Sequence, residues 1–151
     1  MLDIGCGNKK HEDYLGIDIK KDSQADILGS VEYLPFKDNV ISKILLSHVI
    51  EHVNDIISIK EIHRILKLNG SLHVITPNSL DLKKILMSIY KDYIPSSDHV
   101  HTYGYPELKI LLELEFKIIN TDYTCPRLMC VPKRFSRWLE IECKKEISLL
   151  S

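Results

Sequence analysis

Two features near the start of the chain could do chemistry together. Gly5-Cys6-Gly7 follows the apolar residues Leu2 and Ile4, and Asp18 closes a second short apolar run. A glycine turn lets the backbone bend sharply and lets a ligand approach with no Cβ in the way, and a carboxylate at a strand end can accept hydrogen bonds from both hydroxyls of a ribose. The glycines alone are a weak signal, because Lys10 stands where a dinucleotide fingerprint would need its third glycine. Among the histidines, His48, His52, His99 and His101 fall in loops on the side where a ligand would bind, whereas His63 and His73 fall within a predicted helix and strand, and His11 in a loop with no further signal. His99 and His101, with Asp98 beside them, bring no further ligand close in sequence, so they predict substrate contact rather than a metal centre.

These residues must be positioned by alternating strands and helices. Leu2 to Ile4, Tyr14 to Asp18, Ile41 to Ser47 and Ser71 to Thr76 read as strands. Only eleven positions separate Gly7 from Asp18, so the first crossover is either a helix of a turn or two or a loop. The clearest helix starts at Asn54 or Asp55, carries Ile59, Ile62 and Leu66 at helical spacing, and takes its stop signal from Asn69-Gly70. Leu80 to Tyr90 predicts another helix, Pro106 opens a third, Phe116 to Asn120 and Arg127 to Val131 predict late strands, and Arg134 to Leu149 a closing amphipathic helix. Such alternation predicts an α/β fold: a Rossmann-like, doubly wound, mostly parallel sheet with helices on both faces. Ligands of such sheets bind beyond the carboxyl ends of the strands, which directs attention to the loops after Ile4, Ile17, Ser47 and Thr76.

Composition bounds the partners. The 151 residues are 44% hydrophobic, which suits one domain spanning residues 1–151. A formal net charge of −1 gives no general attraction to nucleic acid or anionic membrane. No apolar run approaches the ~20 residues of a membrane span and the first residues do not read as a signal peptide, so a cytoplasmic location is expected. Cys6, Cys125, Cys130 and Cys143 form no CxxC pair and read as reduced thiols.

Taken in order and spacing, LDIGCG, YLGIDI, LPFKDNVISKILLSHVIEHV and EIHRILKLNGSLHVITPN resemble the class I S-adenosylmethionine-dependent methyltransferases, most closely the methyltransferase type 11 branch. The resemblance covers Leu2 to Asn78 well, and HVHTYGYPEL, from His99 to Leu108, resembles that branch's substrate-side loop and helix. It implies S-adenosylmethionine as cofactor and S-adenosylhomocysteine as product. Position by position it implies that Asp3, Gly5, Cys6 and Gly7 meet the methionine part and Asp18 the ribose. Ile19 would flank the adenine, with Ser30 and Val31 near its edge, and Ser47 and His48 would line the sulfonium end. Glu51 and His52 would face the same cleft. The chain departs from the family pattern at Lys9, where a third glycine is usual, at Ser30, where an aspartate commonly stands, and at Leu68-Asn69-Gly70, where Pro-Gly-Gly is usual.

Methyl transfer from a sulfonium is an in-line displacement, in which the enzyme mainly holds the acceptor about 3 Å from the methyl. A general base is needed only for a hydroxyl or a protonated amine, and His48, His52 and His101 are the candidates in that order. The acceptor itself, whether metabolite, glycan, lipid or protein side chain, is not legible in the sequence. Two alternatives stand beside this reading: a non-catalytic subunit that binds the cofactor and regulates another methyltransferase, and a nicotinamide-dependent oxidoreductase, which the missing glycine disfavours. Relatives usually place a helical segment before the first strand, whereas here Leu2 follows Met1 directly. The corresponding expectation is a fold truncated at its N-terminus, with either a homodimer covering the cleft or a shallow pocket for a large acceptor.

Overall fold

The computed structural model describes residues 1–81, 100–124 and 136–146. The strands are β1 (Leu2–Ile4), β2 (Leu15–Asp18), β3 (Ile27–Leu28), β4 (Ile41–Ser47), β5 (Leu66–Pro77), β6 (Lys117–Thr124) and β7 (Trp138–Lys144). Two helices, α1 (Asp55–Ile65) and α2 (Tyr105–Glu113), and a 3-10 turn at Ile50–His52 complete the described elements. The strands form one sheet in the order β3-β2-β1-β4-β5-β7-β6. β1 to β5 pair in parallel, and β7 runs antiparallel to both of its neighbours. The sheet is the mostly parallel, Rossmann-like one expected.

Register explains the core. Leu2 and Ile4 of β1 lie opposite Ile44 and Leu46 of β4, which lie opposite Leu72 and Val74 of β5, which lie opposite Cys143 and Ile141 of β7. These alternate positions are buried and join Ile59, Ile62 and Ile65 of α1 and Leu108, Leu111 and Leu112 of α2 in one hydrophobic cluster. The intervening row, Asp3, Leu45, His73 and Glu142, points to the opposite face.

The first crossover contains no helix. From Gly5 to Tyr14 the chain makes turns, tied by Lys9 N–H to the Cys6 carbonyl and Tyr14 N–H to the His11 carbonyl. Of the two forms the eleven-residue gap allowed, the loop is the one adopted.

Helix α1 begins as expected, its Asn54 side chain accepting from the Ile57 N–H at 3.2 Å. It ends earlier than expected, at Ile65, and the chain passes directly into β5 at Leu66. Asn69-Gly70 therefore does not stop a helix. Asn69 takes φ 61° within β5, between Ile41 paired with Leu66 and Lys43 paired with Ser71, where the register shifts. The Lys145 backbone bonds on both sides of this irregularity, with Asn69 N–H donating to its carbonyl and its own N–H donating to Gly70.

The predicted closing helix is corrected as well, because Trp138 to Lys144 is strand β7. Leu139, Ile141 and Cys143 are buried while Trp138, Glu140 and Glu142 are half-buried, a period of two rather than 3.6. The predicted segments at 82–90 and 127–131, and His99, lie outside the described residues.

Candidate functional site

A cavity of about 470 Å³ opens beyond the carboxyl ends of β1, β2, β3 and β4, where the topology predicts a ligand. It is lined by Ile4, Gly5 and Gly7 from the first loop, Asp18, Ile19 and Lys20 from the second, Gly29, Ser30 and Val31 from the third, and His48, Val49, His52 and Val53 from the fourth.

The glycine turn is shaped by two different needs. Gly5 has φ 70°, and a methyl placed on it would collide with the Val49 side chain, so only glycine lets the two loops touch. Gly7 has φ 51°, and a Cβ there would meet nothing within 4 Å. Its N–H donates to Asp18 Oδ2 at 2.8 Å, while Lys20 N–H donates to Asp18 Oδ1 at 2.8 Å. The 7%-exposed Asp18 carboxylate thus fixes the loop on each side of it before any ligand arrives. A carboxylate offers about four acceptor sites, so both oxygens retain capacity for ligand hydroxyls.

Across the cavity the chain leaves β4 through His48, whose φ of 57° is rare for a residue with a side chain. Its N–H is held by the Ile75 carbonyl at 2.9 Å. The imidazole packs edge-on against Trp138, with ring centroids 4.6 Å apart, and Arg137 lies 4.8 Å over the same indole. Nδ1 of His48 stands 3.3 Å from Glu51 Oε1. Glu51 is 2% exposed, and its Oε2 accepts from Thr76 Oγ1 at 3.1 Å. Its Oε1 makes no aligned hydrogen bond with a described residue. Burial pushes the Glu51 carboxyl up, but the His48 imidazole, its own backbone amide and the Thr76 hydroxyl together hold it below the ordinary value.

The remaining site candidates are dispersed. Asp3 does not line the cavity: it is buried, and its Oδ2 accepts from His11 N–H at 3.0 Å, while burial raises its pKa. Cys6 is a buried thiol pushed up by burial and by the charges of Asp3 and Asp18, which makes it unreactive. Ser47 ends β4 without lining the cavity, and Ser30 Oγ accepts from Glu32 N–H at 3.2 Å. Ile19 is 71% exposed at the rim and Val31 is buried. His101 is tied by its N–H to the Glu51 carbonyl at 3.1 Å, but its ring lies beside Tyr103 rather than in the cavity wall. Tyr103 itself donates to Asp55 at 2.7 Å, and burial with that bond raises its pKa.

The sequence reading did not single out Ile4, Lys20, Gly29, Val49 or Val53 as cavity residues, nor Trp138 as a neighbour of His48. Position at or just after a strand end was a usable signal for Ile4, Lys20, Gly29 and Val49. Trp138 carried none, because the pairing of β7 with β5 spans some sixty residues of sequence.

Comparison with known proteins agrees with this geometry. Residues 2–74 match the family model described as a methyltransferase domain. A protein of Methanocaldococcus jannaschii that bears no functional name is 34% identical over 106 residues, covering 62% of this chain and 46% of that protein, so this chain spans less than half the length of that relative. Among solved structures, a SAM-dependent methyltransferase from Thermotoga maritima superposes with a TM-score of 0.74 at 20% identity, over 96% of this chain and 81% of that one. One from Archaeoglobus fulgidus gives 0.71 at 19% identity, over 95% and 85%. At those identities the likeness establishes the shared fold, and the family match covers the strands that build the cavity. Residues 2–74, just under half of the chain, are thus the part that is similar to the methyltransferase domain family.

Proposed function

We propose that the chain works as one methyltransferase domain that binds S-adenosylmethionine in the cavity and transfers its methyl group to an acceptor by in-line displacement. The observation that carries this reading is the pairing of Gly7 with Asp18 in the cavity wall. The cavity residues fit the cofactor. Asp18 retains acceptor capacity for two ribose hydroxyls, and Gly7 leaves open space beside the backbone. Ile4, Val31 and Val53 supply apolar wall, and Ser30 a single hydroxyl at the adenine side. When bound, the cofactor supplies a methyl group on a positively charged sulfur. The protein's part is to hold the acceptor in line and to keep the wall near that sulfur only weakly polar, which favours a step in which charge is lost.

Asp3, Cys6 and Ser47 support the reading from outside the cavity wall, by shaping the loops that carry Gly5, Gly7 and His48. His48 and His52 are the acceptor-side candidates in the wall, and His101 approaches them through the Glu51 backbone. A dinucleotide fits less well. Pyrophosphate is held by the N-terminus of a helix following the glycine turn, and here turns follow Gly7. A cytoplasmic location belongs to this reading, since Cys6 and Cys143 are free and buried and the described helices include none long and apolar enough to cross a membrane.

Thermal melts test the cofactor. S-adenosylhomocysteine at ~100 times its dissociation constant should add about 2.7 kcal/mol, and nicotinamide dinucleotides nothing. A melting curve unmoved by millimolar S-adenosylmethionine and S-adenosylhomocysteine would remove the proposal. Consumption of the methyl donor over a panel of metabolites and glycans would then identify the acceptor.

A further inference from the structure

Glu51 stands out as a buried carboxylate that the fold does not use up. Its backbone carbonyl accepts from Val100 and His101, and Oε2 accepts from Thr76, so both tasks of local structure leave Oε1 aside. That oxygen is buried, without an aligned hydrogen bond, 3.3 Å from His48 Nδ1. A buried acceptor with no partner calls for an explanation, and the nearby imidazole supplies one. To serve a carboxylate, Nδ1 must carry the hydrogen, which makes Nε2 the ring nitrogen with an open lone pair. Trp138 packs edge-on against the solvent-exposed ring and favours this orientation of the two nitrogens.

From this arrangement we infer that Glu51 is a positioning residue that fixes the tautomer of His48, and that His48 Nε2 is the general base for an acceptor bearing a proton on oxygen or nitrogen. The inference rests on the methyl-transfer reading above and adds to it the class of acceptor. In the step, the acceptor atom bonds to the methyl carbon as the carbon–sulfur bond breaks, and that bond's electron pair stays on sulfur. The acceptor's proton passes to Nε2, and the resulting imidazolium is stabilised by the Glu51 carboxylate before the proton leaves to water. An acceptor with no proton to lose, such as a thioether, would draw nothing from this pair.

The test uses the whole chain and its variant Glu51→Gln, which keeps the shape and the Thr76 contact. Nitrogen-15 chemical shifts of His48 should report the hydrogen on Nδ1 in the wild type at neutral pH, and a shift toward hydrogen on Nε2 in E51Q, whose amide NH2 would donate to Nδ1 while its oxygen accepts from Thr76. Calorimetry with S-adenosylhomocysteine should give the same affinity for both proteins within about twofold. Donor consumption should be seen with a catechol, a phenol or a primary amine and not with a thioether, and should fall about 100-fold in E51Q. A wild-type His48 carrying its hydrogen on Nε2, a tautomer unchanged in E51Q, or transfer to the thioether alone would overturn the inference. Absence of S-adenosylhomocysteine binding to the wild type would instead overturn the cofactor reading, and the tautomer measurement would still decide the role of Glu51. The wild-type spectrum requires no variant, so a poorly folded E51Q leaves the inference open to refutation.

Discussion

The amide of Gly7 and the carboxylate of Asp18, 2.8 Å apart, lock the first two loops of the sheet together. Asp18 holds Lys20 N–H with its other oxygen, so it organises the site as well as offering itself to a ligand. Asp18→Ala should therefore have two separable effects. Loss of charge-assisted bonds should cost about 1.5–3 kcal/mol of stability, which for a domain of this size is a fall of roughly 5–10 °C in Tm. Affinity for S-adenosylhomocysteine should fall at least ~10-fold at a temperature where the variant is folded. Melts and calorimetry on the same samples check both, and wild-type affinity in a folded variant would refute the ribose assignment.

Gly5→Ala should destabilise the protein by about 2 kcal/mol or more, from an unfavourable φ and a collision with Val49. The two contributions can be parted. Adding Val49→Ala removes the collision but not the backbone strain, so the double variant should recover part of the loss. Urea unfolding of the four proteins in the cycle measures this, and strict additivity would show that the loops do not touch as described.

Stability should also weaken in acid through Glu61. Arg64 bonds its carboxylate at 2.7 and 2.8 Å, and Leu34 N–H donates to it at 2.8 Å. The Arg64 bond first, with the Leu34 amide, holds the Glu61 carboxyl below its ordinary 4.5 despite some burial. A depressed pKa contributes stability that is complete above the ordinary value and is lost as pH falls through the folded value. Glu61→Gln should therefore be less stable than wild type at pH 7, with the gap narrowing below about pH 4. Melting temperatures from pH 3 to 7 test it, and a gap independent of pH would mean that the charge of Glu61 is not what matters.

The ammonium of Lys145 donates to the His63 and Leu66 carbonyls and to Asn39 Oδ1, at 2.7, 2.9 and 2.7 Å. It thereby joins the end of α1 to β5 and to the turn before β4. Lys145→Met keeps the stem and removes the donors, and should cost about 2 kcal/mol without changing cofactor affinity. Denaturant melts and calorimetry would reveal either a smaller loss or an unexpected effect on binding.

Much of this was legible in the chain. Leu2-Asp3-Ile4 before Gly5, and an apolar run closing on Asp18 eleven positions after Gly7, marked two adjacent strands and the side on which a ligand would bind. Asn54 announced its helix because capping is a local interaction. Trp138 to Lys144 was misread because its Glu and Lys residues are good helix formers, while the alternation of Leu139, Ile141 and Cys143 carries the true period. Asn69-Gly70 looked like a helix stop because the same left-handed conformation serves a strand irregularity, and only the pairing with Lys145 distinguishes the two. Glu51 gave no sign of its relation to His48 beyond spacing, since its burial depends on Thr76 and on the backbone at Val100 and His101.

The position of β7 bears on how the protein is made. β7 follows β6 in the chain yet lies between β5 and β6, and it is antiparallel to both. While a ribosome is still adding the residues before Trp138, β5 has an unpaired edge bearing Leu72 and Val74, and β6 has no sheet to join. Such an edge is a template for pairing with other chains. The half of the cavity built by Gly7, Asp18 and Ser30 arises from contacts close in sequence, whereas the packing of Trp138 on His48 waits for that late insertion. Slow, long-range closure of this kind makes the nascent chain, before β7 inserts, the stage most exposed to aggregation.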